Sequence, residues 1–160
     1  MRKDLVTRLE VIFSLILAVL GLVLSMISLG AEIVGLDLTP GFGMVQMFQL
    51  LIGLTLLTIA GYLRIHSLRS SDTARSLQAD IGIRLGATGL VFAYVSGVSD
   101  LIGIGTHVDP SFDRPFVGPI QLGGFLIGVL IITAGLLLYM TSRGSRQTSS
   151  LESLLKNDKA

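Results

Sequence analysis

FVGPIQLGGFLIGVLIITAGLLLYM, residues 116–140, carries no charged side chain. At a rise of 1.5 Å per residue, a helix of this length crosses the ~30 Å hydrocarbon core of a bilayer. Three similar stretches precede it. Residues 9–29 read LEVIFSLILAVLGLVLSMISL, broken only by Glu10 and small hydroxyl residues. Residues 42–63 read FGMVQMFQLLIGLTLLTIAGYL, and residues 85–104 read LGATGLVFAYVSGVSDLIGI. Helices satisfy their own backbone groups and so tolerate lipid, whereas the alternation of a membrane β-strand is absent here. The expected fold class is therefore an all-α membrane protein with four transmembrane helices in an up-down-up-down bundle.

Composition agrees. The 160 residues are 51% apolar and 14% charged, where a soluble domain carries about 25% charged residues. The mean hydropathy is +0.76. Residues 1–141 form the expected bundle and 142–160 a cytoplasmic tail, which leaves no stretch for a soluble domain. The first apolar run exceeds the 7–15 residues of a signal-peptide core, so it is read as a retained span.

The function classes that composition removes are several. A net charge of +1 gives no basic patch for nucleic acid, whose phosphates need clustered Lys and Arg. The absence of cysteine removes disulfides, thiolate metal sites and iron–sulfur ligation. No phosphate-binding glycine loop, His-Glu-x-x-His or Gly-x-Ser-x-Gly occurs, so an enzyme is not expected. The two histidines, His66 and His107, fall in loops on opposite sides, which argues against bis-histidine haem. Glu32, Asp37, His107, Asp109 and Asp113 gather in the outer loops without calcium-loop spacing, and are read as solvated loop tips. No cofactor or metal is expected.

Orientation follows from Lys and Arg. Arg2, Lys3 and Arg8 precede the first span; Arg64, Arg69, Arg75 and Arg84 flank the middle loop; Arg143, Arg146, Lys156 and Lys159 lie in the tail. Only Arg114 falls on the other side. Short loops rich in basic residues stay inside, so both termini are expected in the cytoplasm, with the protein in the plasma membrane. Ser71 or Asp72 is expected to cap a helix that starts near Thr73 and continues into the third span. In the tail, Ser149 and Glu152 have capping-box spacing, and Leu151, Leu154 and Leu155 share a face. This short segment is read as a solvated tail rather than a docked helix, because few residues form a stable helix alone.

The chain also matches itself at an offset of 75 residues. Gly43, Gln46, Leu51-Ile52-Gly53 and Thr58 meet Gly118, Gln121, Leu126-Ile127-Gly128 and Thr133. Leu15, Ala18, Val23, Ile27 and Gly30 meet Leu90, Ala93, Val98, Ile102 and Gly105. A duplicated helical hairpin is expected, its halves related by an axis along the membrane normal. Small residues fall on one face of each span. Ser14, Ala18, Gly21, Ser25 and Ser28 form one seam, and Gly89, Ala93, Ser96, Asp100 and Gly103 form its counterpart. Gln46, Gln49, Gly53 and Ala60 are matched by Gln121, Gly124, Gly128 and Gly135. Membrane helices associate through such seams, because close backbone approach supplies what a hydrophobic driving force cannot. Gly21, Gly53, Gly89, Ala93, Gly124, Gly128 and Gly135 are the expected packing residues.

Asp100 lies on the third seam near its outer end. A carboxylate at mid-helix costs about 2.5–3.5 kcal/mol on insertion scales, and less toward the interface. Gln46 and Gln121 lie at similar depth and can donate to it, with Ser25, Ser96 and Ser99 close by and His107 or Arg114 in reach from the loop. Such a cluster has two readings. One is a cation or proton site; the other is a hydrogen-bonded tie between helices. The inner half offers only Ser14, Thr55, Thr58, Thr88 and Thr133, so no relay continues inward and the tie is preferred. The expected function is that of a small non-catalytic multi-pass membrane protein, a scaffold or accessory subunit. Its partners are the lipid bilayer and either itself or another membrane protein. The alternative is a small oligomeric cation or proton channel or transporter using Asp100.

Overall fold

A computed structural model describes residues 2–34, 42–68, 76–99 and 117–142, with side chains in the first segment described at 6 and 8–30. Asp100, His107, Arg114, Asp37, Asp109, Asp113 and the tail from 143 onward lie outside the described residues, whereas Glu32, expected in a loop, falls in the last turn of α1. Four helices are present: α1 (Arg2–Val34), α2 (Met44–Leu68), α3 (Leu77–Gly97) and α4 (Pro119–Thr141). Three of them, α1 over Arg8–Gly30, α2 and α4, are long and apolar enough to cross a membrane. That makes this a membrane-embedded helical protein.

The third helix differs from expectation. It begins at Leu77, eight residues before the expected span at 85 but after the expected helix start near Thr73, and it ends at Gly97 with Val98 as its C-cap, short of the expected end at 104. Its cap is Ser76 rather than Ser71 or Asp72. Ser76 has extended backbone, and its hydroxyl accepts from the Ala79 N–H at 3.3 Å, satisfying one of the donors a helix start leaves open. The early start brings in Gln78, Asp80 and Arg84, and Asp80 pairs with Arg84 across one turn at 2.9 Å. With these polar residues α3 is not among the helices that are long and apolar enough to cross a membrane.

The helices pair as antiparallel hairpins, α1 with α2 and α3 with α4, and α2 joins the pairs by touching both α3 and α4. Among the described residues α1 meets α2 alone. The four seams therefore do not converge on one shared axis but close two by two. In the second hairpin a methyl group on Gly128 would lie 2.8 Å from both the Gly89 carbonyl oxygen and the Ala93 Cβ. One on Gly82 would lie 2.8 Å from the Gly135 oxygen. Gly124 backs onto the Ser96 hydroxyl. In the first hairpin a methyl on Gly21 would meet the Gly53 oxygen at 2.8 Å, and Gly53 abuts Ser25. Since no Cβ contact in a real protein is this short, only glycine permits these backbone approaches.

The registers of the hairpins differ. Gly53 faces Gly21 and Ser25, whereas Gly128, 75 residues later, faces Gly89 and Ala93. Positions 96 and 100 would stand there if the offset held for both helices. Seven residues are close to two helical turns, so a slide of about 10 Å keeps the same faces together.

A core forms where α2 meets the second hairpin. Met47, Leu50 and Leu51 pack with Ala93, Val117 and Phe125, and Met47 and Leu51 are fully buried. Gly97 seats Leu51 and Met47, and Gly61 receives Leu136.

Gly128→Ala is expected to lower stability by about 1–3 kcal/mol, the range for overpacking a closed contact. Gly123→Ala, in the same helix with nothing within 4 Å of the added methyl, is expected to change it by less than about 0.5 kcal/mol. Unfolding titrations in detergent measure both; equal effects would mean that α3 and α4 do not approach this closely.

Candidate functional site

The glutamines of the expected polar cluster sit in the first turns of α2 and α4, and the structure gives them a backbone task. The Gln46 side-chain oxygen accepts from the Gly43 N–H at 2.8 Å, and the Gln121 oxygen accepts from the Gly118 N–H at 3.0 Å. Glutamine three residues inside a helix start reaches back to the cap in this way. Both helix starts lie side by side, because the Val117 N–H donates to the Phe42 carbonyl at 3.1 Å.

The glutamines then diverge. Gln121 is 4% exposed, and its amide donates to the Ser99 hydroxyl at 3.1 Å. Ser99 in turn donates to the Ser96 carbonyl at 3.0 Å. The end of α3 is thereby tied to the start of α4. In the first hairpin the buried Ser28 hydroxyl donates to the backbone carbonyl of Gln46 at 2.6 Å, and the Gln49 amide reaches the Leu24 carbonyl at 3.3 Å. Ser25 donates to the Gly21 carbonyl of its own helix at 2.8 Å. Of the expected cluster, Gln121 and Ser96 are linked through Ser99, while Gln46 and Ser25 belong to the other hairpin. Asp100, the residue on which the cluster was centred, lies outside the described residues.

A second polar set, absent from the sequence reading, joins the hairpins at mid-depth and below. The Thr55 and Tyr94 hydroxyls lie 2.9 Å apart, linking α2 to α3. Further in, the Tyr62 hydroxyl donates to the Gly82 carbonyl at 2.8 Å. It lies where a methyl group on Gly86 would stand, and 2.9 Å from where one on Gly135 would. The Tyr62 ring meets Tyr139 edge-on at 5.4 Å. A tyrosine in an apolar span must find a partner for its hydroxyl, and that rule, applied to Tyr62 and Tyr94, was the signal to follow.

These groups are neutral donors and acceptors. Among the described residues no buried side-chain nitrogen or oxygen lacks a hydrogen-bond partner, and no group of three or more His, Asp or Glu is placed to hold a metal ion. The described polar tips are used in three ways: some join one helix to the next, as Gln121, Ser28 and Tyr62 do, Gln46 and Gln121 cap helix starts, and Ser14, Ser25, Thr58 and Thr133 bond carbonyls of their own helices.

Gln121→Leu is expected to destabilise the protein by about 1–3 kcal/mol, because it removes the acceptor of the half-buried Gly118 N–H and the buried amide that ties α4 to the Ser99 hydroxyl. Ser99→Ala added to Gln121→Leu is expected to cost less than it does alone, since both remove the same bond. Additive losses in a double-mutant cycle would separate the two residues. Compared with known proteins, the chain matches no protein-family model, no curated protein and no solved structure.

Proposed function

We propose that this chain is a four-span plasma-membrane protein without a catalytic role, a scaffold or accessory subunit that acts through helix–helix contacts. In this reading α3 also spans the membrane, and both termini face the cytoplasm. Two features support a duplicated hairpin. The Phe42–Val117 bond joins residues 75 apart, and the Gly43–Gln46 and Gly118–Gln121 caps repeat at the same offset.

The observation that carries the functional reading is the position of α1. It packs one seam on α2 and meets no other helix among the described residues. The rest of its surface, from Leu9 through Val19 to Leu29, is exposed and aliphatic. Meanwhile the polar groups described in the spans point at backbone or at neighbouring helices. A span held on one side presents its other sides to whatever shares the membrane, and packing between membrane helices is decided by shape on such surfaces.

Two measurements test this. The chain lacks cysteine, so Thr39→Cys and Ser70→Cys report topology directly: an impermeant maleimide is expected to label the first in intact cells and the second only after permeabilisation. The mass of the complex extracted from native membranes is expected to exceed the 17.0 kDa of one chain. Val19→Trp, on the open face of α1, is expected to lower it. Cation flux in liposomes that is lost in Asp100→Asn would replace the scaffold reading with that of a channel.

A further inference from the structure

Because α1 leans on α2 alone, a cleft of about 350 Å³ opens between their cytoplasmic halves. Its wall includes the buried Ser14 and Ala60, with Ala18, Leu57 and Gly61 beside them and Arg64 at the edge. The Ser14 hydroxyl is turned to the Val11 carbonyl at 2.9 Å, so the cleft offers apolar atoms along its length and a guanidinium at one end. Its size falls within the roughly 300–1,000 Å³ range of small-molecule sites, and a helix about 10 Å across does not fit.

We propose that this cleft binds an anionic phospholipid, one acyl chain lying along Ala18, Leu57 and Gly61 and the phosphate resting on Arg64. The inference rests on the membrane reading above and adds a ligand to it. Charge complementarity selects the occupant. Arg64 is exposed about one turn from the end of α2, at the depth where a long basic side chain reaches the headgroup layer. Among the described residues the ion pair present is Arg84 with Asp80, so no carboxylate holds Arg64. Arg8 and Glu10, both exposed at the same end of α1, offset one another, so the charge of the cleft is that of Arg64, the one charged side chain in its wall. Basic pockets between membrane helices on the cytoplasmic side take anionic headgroups in this way. Neutral lipid offers the same chains to the cleft but no net charge to the guanidinium.

The full chain, purified in mild detergent, is tested by native mass spectrometry with phosphatidylglycerol and phosphatidylcholine of identical chains. Wild type is expected to retain phosphatidylglycerol about fivefold over phosphatidylcholine, the preference one basic side chain gives near anionic lipid. Arg64→Gln is expected to abolish the preference and keep phosphatidylcholine retention. Arg84→Gln, on α3 and 79% exposed, is expected to behave as wild type. Ala18→Leu fills the cleft and is expected to reduce retention of both lipids; should it fail to fold, Leu15→Ser at the open lip reads the same effect. Equal retention of the two lipids by wild type, or an undiminished preference in Arg64→Gln, overturns the site. Alkaline carbonate separates the two layers of the argument. A chain stripped from membranes by carbonate defeats the membrane reading and the lipid site together, whereas a chain that stays embedded but shows no headgroup preference defeats the lipid site alone.

Discussion

The contact between the backbones of α3 and α4 is the constraint on which the remaining packing depends. Lipid tails are as apolar as leucine, so burying leucine between two spans gains little, and what holds spans together is close approach. Gly82, Gly89, Gly128 and Gly135 bring the two backbones to a separation that a single methyl group would forbid. The same glycines then make room for α2. Tyr62 enters where Gly86 and Gly135 have no side chains, and its hydroxyl takes the second lone pair of the Gly82 carbonyl. In water these glycines would weaken a helix by about 1 kcal/mol each relative to alanine. Here they are the receptor into which the next helix fits.

Much of this was legible in the residues themselves, and the parts that were not have physical reasons. Apolar length alone located α1, α2 and α4, because the bilayer thickness fixes how many residues a span requires. Small-residue spacing located the faces of contact, since a helix repeats its face at three and four residues. It did not locate the register, because a slide of two turns presents the same face and leaves no trace in the pattern. The start of α3 was placed too early at Ser71 or Asp72, where hydroxyl and carboxylate residues crowd 70–76 and several are chemically able to cap. Gln46 and Gln121 were legible in principle. A glutamine three residues after Gly43 or Gly118 has capping spacing, but the same side chain also carries an amide able to donate toward Asp100, and spacing alone does not choose between the two roles.

The two hairpins use the same parts toward different ends. Each begins its second helix with a glycine, a glutamine and a backbone cap, and each closes along a small-residue seam. The second hairpin is glycine on both sides and closes tightly. The first closes as tightly where Gly21 meets Gly53, but toward the Arg64 end Ser14 and Ala18 stand opposite Leu57, Ala60 and Gly61, and there the hairpin opens into a cleft. One half supplies the closely packed pair α3 and α4, with the pocket into which Tyr62 docks. The other supplies a helix that touches that pair only through α2.

That asymmetry bears on what a protein with neutral polar groups in its described spans is able to do. A relay requires groups that change charge along a path, and the described hydroxyls and amides instead end on carbonyls one turn away or on the neighbouring helix. Interactions of that kind stabilise one arrangement of helices. What varies from the closely packed half to the open half is how much apolar surface and how much cleft is offered to the surroundings. In the reading proposed above, selectivity belongs to the edges, to the shape of α1 toward other helices and the charge of Arg64 toward headgroups, while the close glycine contacts of α3 and α4 fix the packing behind them.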